Sequence, residues 1–202
     1  MGHPNATPQC DAARPRQEAS RATSYGVFSR AEEGATAVEF GLIAMPFFGL
    51  LFAIIEVSLA FWTTQVLETA VTNASRQLYT GQFQTDPTNA SLTPQQLQTK
   101  FKTLVCNNVT GLFDCTSKVS VDVQVPSSGW SASGPPVSGG QYDTSGYGFA
   151  RQPASGEITI VRASMEYPLY TRLVGLGTGL ENGNLLIVAS TAFRTEPYTA
   201  GN

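Results

Sequence analysis

Histidine is nearly missing from this 202-residue chain: the one example, His3, stands at the extreme N-terminus. A Ser-His-Asp or Cys-His arrangement therefore has no base to draw on. Cysteine is scarce too, with only Cys10, Cys106 and Cys115, and without further histidines a cysteine pair lacks the ligands that complete a metal site. Charged side chains make up 13%, and a net charge of -3 with a pI near 5.1 gives no broad basic field, which excludes nucleic acid as a partner. The glycine-rich run Gly175-Leu176-Gly177-Thr178-Gly179 has neither the Lys-Ser/Thr of a phosphate loop nor the glycine spacing of a dinucleotide turn, and reads as a turn. Asp114, Asp122 and Asp143 are scattered rather than set at calcium-loop spacing. The four Asn-x-Ser/Thr sequons, at Asn5, Asn73, Asn89 and Asn108, are short enough to arise by chance in a Ser/Thr-rich chain. No catalytic group, cofactor or metal is expected.

Positive charge is also unevenly missing. Arg14, Arg16, Arg21 and Arg30 precede Gly34, mixed with Asp11, Glu18, Glu32 and Glu33, and no Lys or Arg occurs again until Arg76. The gap is filled by apolar residues. Phe40 to Trp62 is a run of 23 residues with Glu56 as its one charge. At 1.5 Å per residue a helix of that length reaches about 34 Å, enough to cross a bilayer. Arginines on the N-terminal side place that end in the cytoplasm and the C-terminal part of the chain on the exported side, with Phe61 and Trp62 at the outer interface. A cleaved secretory signal is the competing reading, with Ser58-Leu59-Ala60 as a small-residue cleavage site, but the run exceeds the 7 to 15 or so residues of a secretory apolar region.

The border between charged and apolar sequence carries a pattern: Gly34, then Ala35-Thr36-Ala37-Val38, then Glu39-Phe40. A carboxylate at the mouth of a membrane span is costly unless it reaches water or a partner. The pattern resembles the processing site of type IV pilins and pseudopilins. The longer string from Arg30 to Trp62, with Pro46 about a dozen residues in and a second acid, Glu56, near the helix end, is similar to the TadE-like minor pilins of the Tad (Flp-type, type IVb) pilus system. The resemblance covers about Gly34 to Ser75. Residue Ala35 departs from the Phe that many pilins carry there, and the leader is long.

The resemblance implies that a prepilin peptidase cuts between Gly34 and Ala35 on the cytoplasmic side, glycine easing the backbone open where the protease must bind it. It implies a new α-amino group at Ala35, protonated at neutral pH, one helical turn from Glu39. Glu39 would pair with that amine or with a neighbouring subunit's, a buried charge being tolerable when paired. Glu39, Phe40 and Glu56 are thus the expected assembly residues. Pro46, which removes a hydrogen bond to the Leu42 carbonyl, should kink the helix or loosen its first turns. Ala37 and Gly41 form a small-x-x-x-small pair that would let another helix approach. Glu56 either snorkels to the outer headgroups or contacts another helix. The implied partners are the prepilin peptidase, other pilin and pseudopilin subunits, the inner-membrane Tad assembly platform and the lipid bilayer.

Beyond Trp62, Val66, Leu67, Ala70, Val71, Ala74 and Leu78 recur at three- and four-residue steps, so the helix should continue to Thr80-Gly81. Thr93-Pro94-Gln95-Gln96 reads as an N-cap, a proline at the first helical position and a capping-box glutamine, opening a helix that ends near Cys106. Val119, Val121, Val123 and Val125 alternate as a strand; Glu157–Tyr167 is a second, with a phase slip at Ile160-Val161 that suggests a bulge; Leu185 to about Glu196 is the third. Between Pro126 and Gly156, 18 of 31 residues are Gly, Ser or Pro, so no core is expected there. This reads as a flexible insertion whose aromatics Trp130, Tyr142, Tyr147 and Phe149 fold back on the sheet or form an exposed surface. Removal of the leader takes Cys10 with it and leaves Cys106 and Cys115, which in an oxidising compartment form a disulfide closing a loop of about ten residues.

The expected architecture is α+β: a leader over 1–34, a transmembrane then amphipathic helix over 35–80, and an exported head over 81–202 with a small antiparallel sheet and the insertion 126–156. The expected role is that of a single-pass, N-in subunit of the bacterial inner membrane, processed after Gly34, whose head is periplasmic or extracellular in a pilus, and which serves pilus biogenesis, adhesion or secretion by assembly, not as an enzyme. The rivals are a permanently anchored periplasmic binding module and an anchored hydrolase using an acid pair such as Asp122 with Glu166.

Overall fold

The computed structural model describes residues 32–109, 111, 113–126, 134–170 and 180–198. Residues 1–31 of the leader, with His3 and Cys10, as well as Trp130 and the Gly175 to Gly179 run, lie outside these residues. The chain divides into two compact units, Met1–Pro46 and Phe47–Asn202. In the first, the described residues are the opening turns of helix α1.

Helix α1 spans Glu32–Tyr79 and includes Pro46. It starts two residues before Gly34, so the Gly34-Ala35 peptide is helical. It ends at Tyr79, two residues before Gly81, whose φ of +77° favours glycine and where an added Cβ would lie 2.6 Å from the Tyr198 ring. A short helix α2 (Gln82–Thr85) and a 3-10 turn (Pro87–Asn89) lead to helix α3, Pro94–Asn107. Thr93 caps α3 as its sequence signals, its hydroxyl accepting from the Gln96 amide while Gln96 reaches back to the Thr93 N–H. The one-turn helix α4 (Cys115–Lys118) is capped by Asp114.

Strands β1 (Ser120–Gln124), β4 (Ile158–Tyr167) and β5 (Leu185–Arg194) form an antiparallel sheet in the order β1-β4-β5, and β2 (Val137–Ser138) and β3 (Gln141–Tyr142) form a separate hairpin. One sheet face presents Val121 and Val123, Val161, Ala163 and Met165, and Ile187 and Ala189. It shares a core with Leu67, Ala70, Val71, Ala74 and Leu78 of α1 and with Leu97, Phe101 and Val105 of α3. The apolar face of α1 beyond Trp62 is thus spent on the sheet, which explains its three- and four-residue spacing.

The expected bulge in β4 is absent. Its pairing runs unbroken from Ile158↔Arg194 to Tyr167↔Leu185 and from Ser120↔Ser164 to Gln124↔Ile160. The apolar phase slips because β4 is the central strand and is covered on both faces, so Ile160 and Val161 are both buried.

The second cover is the glycine-, serine- and proline-rich insertion, and residues 134–156 follow a defined course. Gly139 and Gly140, at φ +55° and +74°, make the tight turn between β2 and β3. The Tyr142 hydroxyl donates to the Ser164 carbonyl at 2.9 Å. The Arg162 guanidinium lies 5.2 Å from the Tyr147 ring centroid and donates to the Gly134 carbonyl. Val123 exchanges backbone bonds with Gly148 and Ala150, which closes off that edge of β1. Phe149 is 2% exposed and joins Phe83 and Phe101, with centroids 5.7 and 6.2 Å away. The insertion cannot build a core of its own, but it delivers an aromatic ring into one that the helices and sheet have already made. Phe149→Ala should therefore cost about 3–5 kcal/mol in urea denaturation of the full-length protein, where an accessory loop residue would cost almost nothing.

Candidate functional site

The N-terminal part of α1 is long and apolar enough to cross a membrane. Its side chains have almost no protein around them: Phe40 is 72% exposed, Met45 82% and Phe47 58%, and a Cβ built at Gly34, Gly41 or Gly49 would meet nothing within 4 Å. Gly34, Ala35, Glu39 and Pro46 are likewise exposed. Helical spacing puts Ala35 and Glu39 one turn apart on one face. A continuous exposed apolar surface of this extent is unusual for a soluble monomer and fits a candidate membrane span.

Glu56 behaves differently. It is 7% exposed, and its Oε1 accepts the backbone N–H of Tyr170, which follows β4. Neither snorkelling nor an intermolecular contact is needed to explain it: the acid is tied to the chain's own head. Ala53, Ala60 and Thr63 are buried on the same side of α1. Tyr167 packs there too. Burial is the main cause that raises its hydroxyl pKa, the charges of Tyr170 and Glu56 add to this, and a hydrogen bond with Thr63 opposes it. Sequence reasoning missed the Glu56 partner because it is a main-chain N–H 114 residues away, which no side-chain pattern announces.

Asp122 and Glu166, weighed as an acid pair, have separate partners. Asp122 faces Arg162 across the β1–β4 ladder, 2.7 Å from its Nη2, and also accepts from the Gly148 amide at 3.1 Å. Both are largely buried, and a pair of this kind costs several kcal/mol to break from one side. Glu166 accepts from the side-chain amides of Asn182 and Asn184. Among the described residues no group of three or more His, Cys, Asp or Glu could hold a metal ion. The sulfurs of Cys106 and Cys115 lie 1.98 Å apart, joining the end of α3 to the start of α4.

These features define a protein class: a candidate single membrane span continuous with the helix of an α+β head, with its unusual residues placed along that helix. The family model for TadE-like protein matches residues 34–76. It begins at Gly34 and ends three residues before α1 does, so the head's sheet lies outside it. The match covers 43 of the chain's 202 residues. No curated protein and no solved structure matches the chain.

Three surface carboxylates hold the head's loops. Asp86 is brought down to about 2 mainly by the Lys100 ammonium and also by Thr88, and Asp114 to about 2 by Thr116 and Ser117 at the start of α4. The Arg151 guanidinium, with the Ala154 amide, does the same for Glu157, its two nitrogens 2.5 and 2.7 Å from the carboxylate. A carboxylate depressed in the folded state stabilises above its unfolded pKa, and that stability is lost as pH falls through the folded value. Urea midpoints should thus be flat above about pH 5 and fall between about pH 4 and pH 2. Asp114→Asn and Glu157→Gln should each lower the neutral-pH midpoint and flatten the acid limb.

Proposed function

We propose that this chain is a minor pilin or pseudopilin subunit of a Tad-type pilus assembly, inserted in the bacterial inner membrane with its N-terminus in the cytoplasm and its head in the periplasm. A prepilin peptidase cuts it after Gly34. The observation that carries this reading is a coincidence of position: the family match begins at Gly34, where α1 turns from mixed charge to a continuous exposed apolar surface. Cleavage gives Ala35 a protonated amine that Glu39, one turn on, can pair with in its own or an adjacent subunit. The charge pair sets the register of one helix against the next, and Phe40 and the apolar residues after it pack among other subunits and lipid. The protein acts by assembly rather than by catalysis, with the assembly platform of the inner membrane and other pilin-like subunits as partners.

The helical state of the Gly34-Ala35 peptide adds a step. The first turn must unwind before the peptidase can bind it extended, and glycine lowers that cost by about 1 kcal/mol relative to alanine. N-terminal sequencing of protein from native envelopes should read Ala35 when the peptidase is present and an upstream start when it is deleted. Glu39→Ala should still be cut but be missing from the sheared pilus fraction. An upstream N-terminus in peptidase-positive cells would instead identify a permanently anchored binding module.

A further inference from the structure

The exposed apolar band of α1 overlaps the part of the helix that the head covers. Over 53–63, Ala53, Glu56, Ala60 and Thr63 are buried, while Ile54, Ile55, Val57, Leu59, Phe61 and Trp62 stay exposed around them. One covering group is the Tyr170 peptide, held by the Glu56 carboxylate. Phe61 and Trp62 lie farther along α1 toward the sheet, Trp62 by about 9 Å of helix rise. Tyr170 is therefore fastened inside the apolar band, not above it, and the residue is 86% exposed.

We propose that the segment 168–170, which follows β4, is a second membrane contact, with the Tyr170 ring seated in the headgroup layer of the outer leaflet of the bilayer that α1 crosses. The inference rests on the membrane insertion of α1 proposed above. A hydrocarbon layer of about 30 Å takes about 20 helical residues, so a span counted from Ala35, rather than from Phe40 as the apolar run alone suggests, runs out near Glu56 and leaves Phe61 and Trp62 in and beyond the headgroup layer. That is the depth at which tyrosine and tryptophan rings are favoured, the ring in the acyl boundary and the hydroxyl among headgroups. Glu56 suits the same depth. A carboxylate there is costly unless it is bonded, and the Tyr170 N–H satisfies it from the protein side. The bond thus has two effects: it makes the acid compatible with the interface and it holds the segment down against the membrane. The head then sits against the bilayer through two elements, α1 and the segment after β4, which restricts its swivelling about the helix axis.

The test uses full-length protein carrying Cys10→Ser, with the Cys106–Cys115 pair left oxidised, in vesicles of phosphatidylethanolamine and phosphatidylglycerol. An environment-sensitive fluorophore is attached at Tyr170→Cys, at Phe52→Cys on the span, or at Ser145→Cys on an exposed turn of the head. Lipids brominated near the headgroup end of the acyl chain should quench the label at 170 more than lipids brominated near the chain end. The label at 52 should be quenched and that at 145 should not. Adding Glu56→Ala should abolish quenching at 170 and leave 52 unchanged. Quenching at 52 without quenching at 170 would overturn the inference and leave the membrane span standing. Loss at both positions would remove the span and the inference together. A label at 170 that is shielded only as subunit density rises, with no bromine quenching, would assign Tyr170 to a neighbouring subunit and overturn the lipid contact.

Discussion

Burial of one side of α1 against the chain's own head is the contact on which the rest of the fold depends. Leu67, Ala70, Val71, Ala74 and Leu78 form a single core with the inner face of the sheet and with α3. Without that row the three-stranded sheet would have one apolar face open to water, since α3 alone is too short to cover it. Leu67, Ala70, Val71, Ala74 and Leu78 are each at most 1% exposed, so this row of α1 is fully covered. The N-terminal part of the same helix, a candidate membrane span, follows the opposite rule. From Val38 to Trp62 its large side chains are exposed, and water is a poor solvent for all of them. A helix meets both demands because its backbone bonds are internal and need nothing from either solvent.

The transition between the two regimes is gradual, and this is where Glu56 belongs. Ala53, Glu56, Ala60 and Thr63 extend the buried side of α1 into the apolar band, with the acid satisfied by a main-chain donor. The head's outer layer shows a similar economy of charge. Asp122 and Arg162, on neighbouring strands, neutralise each other, and Arg162 holds the insertion through Tyr147 and the Gly134 carbonyl. One ion pair thereby serves both the sheet and its cover.

How much of this was legible in the sequence depended on the range of each interaction. Helix α3 was readable because its signals, Thr93, Pro94 and Gln96, act within one turn. The length of α1 was readable because its apolar period continues to Leu78 and Gly81 stops it. Central-strand burial was misread as a bulge, because Ile160 and Val161 look out of phase until a second cover is known. That cover was obscure because glycine, serine and proline argue against a self-contained core, whereas Phe149 needed only a place in a core built by other elements. The partner of Glu56 was invisible for the same reason: chain distance leaves no local trace of a long-range backbone bond. The match over 34–76 runs along the same line, since the motif around Gly34 and Glu39 is local while the sheet is built from long-range pairing.

The central claim is that one helix serves two solvents, and amide hydrogen exchange along α1 in phospholipid vesicles tests it most directly. The account predicts that amides over 40–52 are the slowest of the chain when lipid is present and become fast when detergent replaces it below micelle-forming concentration, while those over 66–78 stay slow in both because the sheet covers them. Amides over 40–52 exchanging in vesicles as quickly as those of a water-exposed helix, with 66–78 still protected, would contradict it.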